Sequence, residues 1–267
     1  MRNILRWAGS KRQLLTTLGS YWTGVESRYV EPFAGSAALF FYLRPGQALL
    51  GDLNGDLVGF YKAIASTPED VYQIASTIKP TKENYYSVRQ NFISEENPLQ
   101  RAGYFLFLNR YCFNGIYRTN LKGHFNVPFA SSKTGQLPSW EEFISAVELL
   151  KQATVEQKDF EELLINNVKP GDFVYLDPPY AVSTRRVFSE YGANSFSLED
   201  LPRLQSTLRE IDKRGARFVL SYAFSKESQK FFCEWPSRRV ICQRNVAGFA
   251  GSRRKAVEMI ATNFGIE

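Results

Sequence analysis

The sequence predicts an α/β fold: a mostly parallel sheet covered by helices, an antiparallel last strand, and a helical insert that ends in a β-hairpin. Three observations predict it. Short β-branched and aromatic runs alternate with helical patterns, as in a parallel sheet buried on both faces. That alternation breaks between the second and third strands, where four helical patterns follow one another. The last two strands are joined by Val246–Lys255, which has no room for a crossover helix, so they pair antiparallel.

The elements follow in order. Ser10–Leu18 reads as a helix opened by a capping serine, and Tyr29–Phe33 as the first strand. Ser36–Leu43 is helical and stops before Pro45-Gly46, and Ala48–Gly51 is the second strand. From about Asp56 to Thr134 come helices over Leu57–Ala65, Pro68–Ile78, Asn84–Phe92 and Pro98–Tyr111, then the aromatic, glycine-punctuated stretch Tyr111–Phe129. Strands resume at Thr154–Gln157, Phe173–Leu176, Arg217–Ser221, Val240–Gln243 and Ala256–Ala261. Ser197–Arg214 begins at a serine cap with Asp200 three residues on and stops at Gly215. The expected organisation is a main domain, 1–55 and 135–267, interrupted by a subdomain, 56–134, with its hairpin at about 111–129.

The 267 residues, 44 % hydrophobic, suffice for one core and an insert. No long apolar stretch and no signal-peptide pattern occur, which predicts a soluble, cytoplasmic protein without a membrane partner. Cys112, Cys233 and Cys242 lack CxxC spacing and read as reduced. A single histidine, His124, argues against a histidine metal site or a Ser–His–Asp triad; no metal is expected. The net charge of +6 is unevenly spread. No acid falls between Asn97 and Trp140, while Arg101, Arg110, Arg118, Lys122 and Lys133 do. Arg238, Arg239, Arg244, Arg253, Arg254 and Lys255 form a second cluster. Such surface fits a polyanion partner; on charge alone, a solvated basic face fits as well.

The most informative motif is Asp177-Pro178-Pro179-Tyr180, directly after the strand Phe173–Leu176. The two prolines stop the strand and make a rigid shelf at its C-terminal end, where open α/β sheets bind ligands. The shelf offers a carboxylate, a carbonyl and an aromatic face, which suit a planar exocyclic amine. Tyr29-Val30-Glu31-Pro32-Phe33-Ala34-Gly35-Ser36 is a strand entering a glycine turn and a helix, a place where a ligand can approach the backbone. Asp52 ends the second strand roughly 17 to 20 positions further on, where nucleoside-binding folds hold ribose hydroxyls; alone, it reads equally well as a loop cap. Asp159-Phe160 after the third strand pairs a carboxylate with an aromatic, suited to an adenine's edge and face.

These residues reach a family. Trp7-Ala8-Gly9-Ser10-Lys11, the Glu31–Gly35 turn, Asp52 and Asp177–Tyr180 stand in the order found in DNA adenine-N6 methyltransferases of the alpha group, and the chain most resembles the Dam family. The stretch Leu108–Asn120, continuing through Leu121–Phe129, resembles its recognition hairpin. Asn194-Ser195-Phe196 and Gly251–Lys255 extend the likeness over nearly the whole chain. Ala37 departs from the pattern, since the family usually has a second glycine there. Ser131 and Ser132 depart too, standing where larger or basic residues are usual.

The resemblance implies a Rossmann-like S-adenosylmethionine-dependent methyltransferase sheet in the main domain, a target-recognition insert and double-stranded DNA as partner; nothing in the sequence requires more than a monomer. It implies cofactor contacts from Trp7, Lys11, Phe33, Gly35, Asp52, Asp159, Phe160 and Asp177, with Lys11 on the methionine carboxylate. A core-plug role for Trp7 is the alternative, weighed against Lys11 one helical turn on. Asp177 and the Pro178 carbonyl would accept the two N–H bonds of adenine N6, Pro179 would stiffen the shelf and Tyr180 would stack on the base. In the hairpin, Arg118 would read a guanine, Ile116 and Pro128 would meet a thymine methyl, and Phe113, followed by Asn114, would wedge into the gap left by a flipped base. Arg6 would read a base, while Arg110, Asn120, Lys122 and Asn126 would hold phosphates. The implied target is GATC. The alternatives are an RNA amine methyltransferase, against which the insert argues, and an inactive DNA-binding protein, against which the shelf, Asp52 and Lys11 argue. Hydride transfer is disfavoured because the first turn lacks GxGxxG.

Overall fold

The structure is a computed structural model that describes residues 4–130, 135–180, 196–245 and 253–265, with the backbone alone at 243–245 and 253–255. Ser131, Ser132, Lys133, Asn194, Ser195, Gly251, Ser252 and most of the Val246–Lys255 connection lie outside the described residues, as do the side chains of Arg244, Arg253, Arg254 and Lys255.

Seven strands form: β1 (Arg28–Glu31), β2 (Ala48–Asp52), β3 (Ala153–Gln157), β4 (Asp172–Leu176), β5 (Arg217–Ala223), β6 (Ser237–Asn245) and β7 (Arg253–Thr262). The sheet order is β3-β2-β1-β4-β5-β7-β6. β1 pairs parallel with β2 and β4, and β4 parallel with β5. β7 runs antiparallel between β5 and β6, as the short connection demanded. The strand order reverses between β1 and β4, the place where such sheets bind ligands beyond their carboxyl ends. Val30 lies beside both Leu49 and Val174 in register, and β4 is buried along its whole length.

The helices are α1 (Leu15–Gly19), α2 (Ala38–Leu43), α3 (Gly55–Ser66), α4 (Pro68–Thr77), α5 (Lys82–Ser94), α6 (Pro98–Tyr111), α7 (Trp140–Leu150), α8 (Phe160–Asn167), α9 (Asp200–Lys213) and α10 (Lys226–Phe232). Several expected boundaries move, four of them near the site. No helix opens at Ser10: a 3-10 turn at Arg12–Leu14 precedes α1, and its leading residue Lys11 provides no side-chain cap. α2 begins at Ala38 because Ala37 is left-handed, at φ 48°. α9 begins at Asp200, since Ser197 donates its N–H and hydroxyl to the Asp200 carboxylate in a turn ahead of the helix. β1 stops at Glu31, because Pro32 has no N–H to continue the ladder.

The chain gathers into two compact units. One comprises Lys11–Gly51, Lys158–Ser183 and Phe196–Glu267; in its core Val30, Leu49, Val174, Leu204, Phe218 and Met259 pack together. The other comprises Asp52–Gln157 with the N-terminal segment to Ser10 and Thr184–Ser195. There α3 and α6 meet through Phe60 and Phe105, whose ring centroids lie 5.3 Å apart. A Cβ at Gly103 would overlap Ile74, so glycine lets α6 and α4 approach closely. No helix among the described residues is long and apolar enough to cross a membrane.

Candidate active site

The shelf leaves the sheet where β4 ends. Leu176 is the last strand residue, and the prolines after Asp177 cannot donate to a ladder. Lys11 Nζ donates to Asp177 Oδ1 at 2.6 Å and to the Tyr180 hydroxyl at 2.8 Å, and that hydroxyl donates to Glu258 Oε1 at 2.7 Å. The Lys11 and Asp177 side chains are only 9 % and 18 % exposed, and Glu258 is 1 % exposed. Burial by itself would lower the Lys11 pKa, but Asp177, Tyr180 and Glu258 outweigh it and hold the ammonium above its ordinary value of 10.5. Burial raises the Tyr180 hydroxyl; Lys11 opposes that shift, and the Asp177 and Glu258 carboxylates add to it. Tyr180 meets Tyr222 edge to face at 5.5 Å.

The glycine turn is tight. Gly35 has φ 46° and Ala37 φ 48°. The Ala34 N–H donates to the Gly51 carbonyl at 2.8 Å, which closes the turn against the end of β2. Phe33 stacks on Phe160 at 5.3 Å, and Phe196 meets Phe33 edge-on at 5.9 Å. Asp159 is the cap of α8, accepting from the Glu161 N–H, and it also accepts from Arg203 at 2.7 Å. Both bonds fall on Oδ1. Arg203 lies over the Phe160 ring and also joins Glu161 and Asp200.

The other unit carries the remaining expected residues. Trp7 stacks on Tyr117 at 5.7 Å and 19°. Trp7 and Lys11 share no helix, contrary to the one-turn spacing expected of them, because the chain turns at Ala8-Gly9, where Gly9 has φ 80°. Asp52 Oδ1 accepts from the Asn54 N–H at 2.9 Å, and Asn54 caps α3.

The hairpin is held by isolated antiparallel bridges, Cys112 with Phe129 and Thr119 with Phe125. Its anchors come from the helices. Tyr117 donates to Asp56 at 2.6 Å, Arg101 pairs with the same carboxylate, and the Tyr85 hydroxyl donates to the Val127 carbonyl. At the tip, Asn120 Oδ1 accepts the N–H groups of Lys122 and His124, a turn-forming use of the side chain. Arg118 donates to Asn126 Oδ1 at 2.8 Å. Phe113, 40 % exposed, stands outward, and Asn114, Lys122 and Pro128 are exposed while Ile116 is half-buried. Arg6 donates to the Arg110 and Cys112 carbonyls, and Arg110 to those of Gln136 and Ile4, so both guanidiniums also serve as backbone ties. Among the described residues, no cluster of His, Cys, Asp and Glu is arranged to hold a metal ion.

The family of D12 class N6 adenine-specific DNA methyltransferases matches residues 7–246. The chain belongs to that family. It is 31 % identical to the type II methyltransferase M1.LlaDCHI of Lactococcus lactis over 99 % of this chain and 96 % of that protein. It is likewise 31 % identical to the retron Ec67 DNA adenine methylase of Escherichia coli, over 98 % and 92 % of the two chains. Against the DNA adenine methylase of Escherichia coli K12 the identity is 30 %, over 97 % and 94 %. The chain is therefore an adenine-specific DNA methyltransferase that uses S-adenosylmethionine. The donor set fits that cofactor: Asp177 pairs with Lys11 and Glu258 joins the cluster through the Tyr180 hydroxyl, so two acids to one ammonium suit a sulfonium cation nearby.

Sequence reasoning missed Glu258, Arg203 and the Asp56–Tyr117 anchor. A signal existed for Glu258, a lone acid inside the apolar run Ala256–Ala261. Nothing local marked the other two.

Proposed function

We propose that the chain methylates adenine N6 within duplex GATC, on a base turned out of the helix, in a direct in-line transfer. S-adenosylmethionine, when bound, supplies the methyl group from its sulfonium. Asp177 and the Pro178 carbonyl accept the two N–H bonds of the target amine. That draws its nitrogen toward tetrahedral geometry and places acceptors where positive charge develops. Pro179 keeps the carbonyl from swinging away, and Tyr180 stacks on the base. Phe33, Gly35 and Phe160 line the cofactor, Asp52 takes the ribose hydroxyls, and Asp159 accepts the adenine amino edge on Oδ2. Trp7 belongs to the same set. Lys11 donates to Asp177 and Tyr180, and its third N–H serves the methionine carboxylate.

Recognition falls to the hairpin. Arg118 turns from Asn126 to a guanine O6/N7 edge, and Asn126 is then released to a phosphate. Phe113 enters the gap beside the flipped base, at a cost of a few kcal/mol for unstacking. Ile116 and Pro128 meet a thymine methyl, Arg6 lies at a base edge, Asn114 flanks the wedge, and Arg110, Asn120 and Lys122 hold the backbone. The observation that carries this reading is one hairpin that holds both the exposed Phe113 and the Arg118–Asn126 pair and is anchored through Tyr117 to Asp56.

Single-molecule sequencing of DNA from a methylation-deficient host expressing the protein tests it. N6-methyladenine confined to GATC is the expected result. The same mark in another motif keeps the chemistry and refutes the base assignments. No mark, from folded protein that binds S-adenosylmethionine, shifts the substrate to RNA.

A further inference from the structure

Glu258 stands on β7, paired in register with Ala223 of β5 and Val240 of β6, and it is 1 % exposed. A buried carboxylate is costly, and an apolar side chain of similar volume would serve the sheet at least as well. Its neighbours Met259, Ile260 and Ala261 are the buried apolar residues expected of that strand. The acid keeps polar company instead: the Tyr180 hydroxyl at 2.7 Å and the Cys242 thiol at 3.7 Å.

The direction of these bonds matters. The Tyr180 hydroxyl gives its single proton to Glu258, so its oxygen presents lone pairs to Lys11. Lys11 in turn gives one hydrogen to that oxygen and one to Asp177 Oδ1. A relay runs from β7 to the shelf: Glu258 orients Tyr180, and Tyr180 with Asp177 holds Lys11. A phenol with no acceptor behind it would be able to turn its proton toward Lys11 and repel it.

We infer that Glu258 is a positioning residue for methyl transfer, fixing the Tyr180 ring and the Lys11–Asp177 pair in the arrangement that receives the target amine. The inference rests on the reading of Asp177 and Tyr180 as the amine-binding shelf. It makes the antiparallel strand β7, remote in sequence from the shelf, part of the apparatus.

The test is a double-mutant cycle read by single-turnover methylation of duplex DNA, with S-adenosylmethionine affinity measured in parallel. Glu258→Ala is expected to slow transfer about 20-fold while the cofactor Kd changes less than about threefold. Glu258→Gln, whose carbonyl still accepts from Tyr180, is expected to recover most of that rate. In a Tyr180→Phe background, Glu258→Ala is expected to add less than about twofold, because the relay is already cut. A full 20-fold loss in that background overturns the inference, as does a loss of rate and affinity together that Gln does not rescue. Should Glu258→Ala fail to fold, Tyr180→Phe carries the test: it must slow transfer with Kd kept, and an unchanged rate overturns the inference. Wild-type protein that methylates no duplex adenine fails the functional reading itself. Normal wild-type turnover with unaffected Glu258 and Tyr180 variants fails only the relay.

Discussion

Lys11, Asp177, Tyr180 and Glu258, one of them buried and three partly so, are linked by short hydrogen bonds, whereas the hairpin Tyr111–Phe129 fastens its backbone and leaves several side chains outward. In the first region Lys11 donates to Asp177 and Tyr180, and Tyr180 donates to Glu258. In the second, Tyr85, Arg89 and Tyr117 bond to the hairpin or tie it down, and Phe113, Asn114, Lys122 and Pro128 are exposed. The difference matches the roles proposed for the two regions. Groups that stabilise charge developing in a reaction act best when fixed beforehand and shielded from water. Groups that read a partner's surface must reach it, so rigidity belongs to their support.

Breaking the first region should have the largest effect. Asp177→Ala removes an acceptor of the target amine and strands the Lys11 ammonium. Transfer in single-turnover assays should fall about 10³-fold or more, while duplex binding in a gel-shift assay is kept in part. Near-normal turnover would remove Asp177 from the mechanism. Breaking the support of the second region should cost less. Asp56→Ala takes the acceptor from both Tyr117 and Arg101, a loss of about 2–3 kcal/mol in unfolding stability. It should raise the KM for DNA more than it lowers the rate of the chemical step; equal effects on both would argue that the anchor does not serve the hairpin.

A smaller change sharpens the picture at the glycine turn. Ala37 is fully buried and left-handed, a conformation that costs an alanine about 1–2 kcal/mol. Ala37→Gly should therefore raise the urea midpoint by about 1 kcal/mol equivalent with an unchanged m-value. A lowered midpoint would mean that the methyl's packing outweighs the strain. The smallest expected effect is with pH. Because the Lys11 pKa is raised on folding, its contribution is fully present below the ordinary 10.5 and is lost only as pH rises through the higher folded value. Transfer rates should thus show no alkaline loss traceable to Lys11 below that pH, and the residual rate of Lys11→Met should keep the same pH profile in that range.

Much of this was legible in the sequence where the chemistry is contiguous. The shelf is four consecutive residues after an apolar run, and all seven strands lie where β-branched and aromatic runs placed them. Helix starts were harder, because a serine near a helix can organise a turn ahead of it, as Ser197 does with Asp200. β6 begins at Ser237, before its apolar run, because antiparallel pairing satisfies its backbone whatever Arg238 and Arg239 carry. The roles of Glu258 and Asp56 were hidden for another reason. Each acts on a partner more than sixty residues away in sequence, so only the assembled fold brings them together. Arg6 and Arg110 show the same limit: a basic residue marks itself in the sequence, but not the carbonyls it ties.

The division between a fixed chemical site and a reading hairpin is tested most directly by the specificity of Arg118→Ala. Its kcat/KM for a GATC duplex would be compared with that for duplexes altered at each base pair in turn. Discrimination is expected to relax at one base pair by about 1–3 kcal/mol, with the chemical step on accepted sites kept. An equal loss on every sequence would contradict it and make Arg118 a phosphate contact.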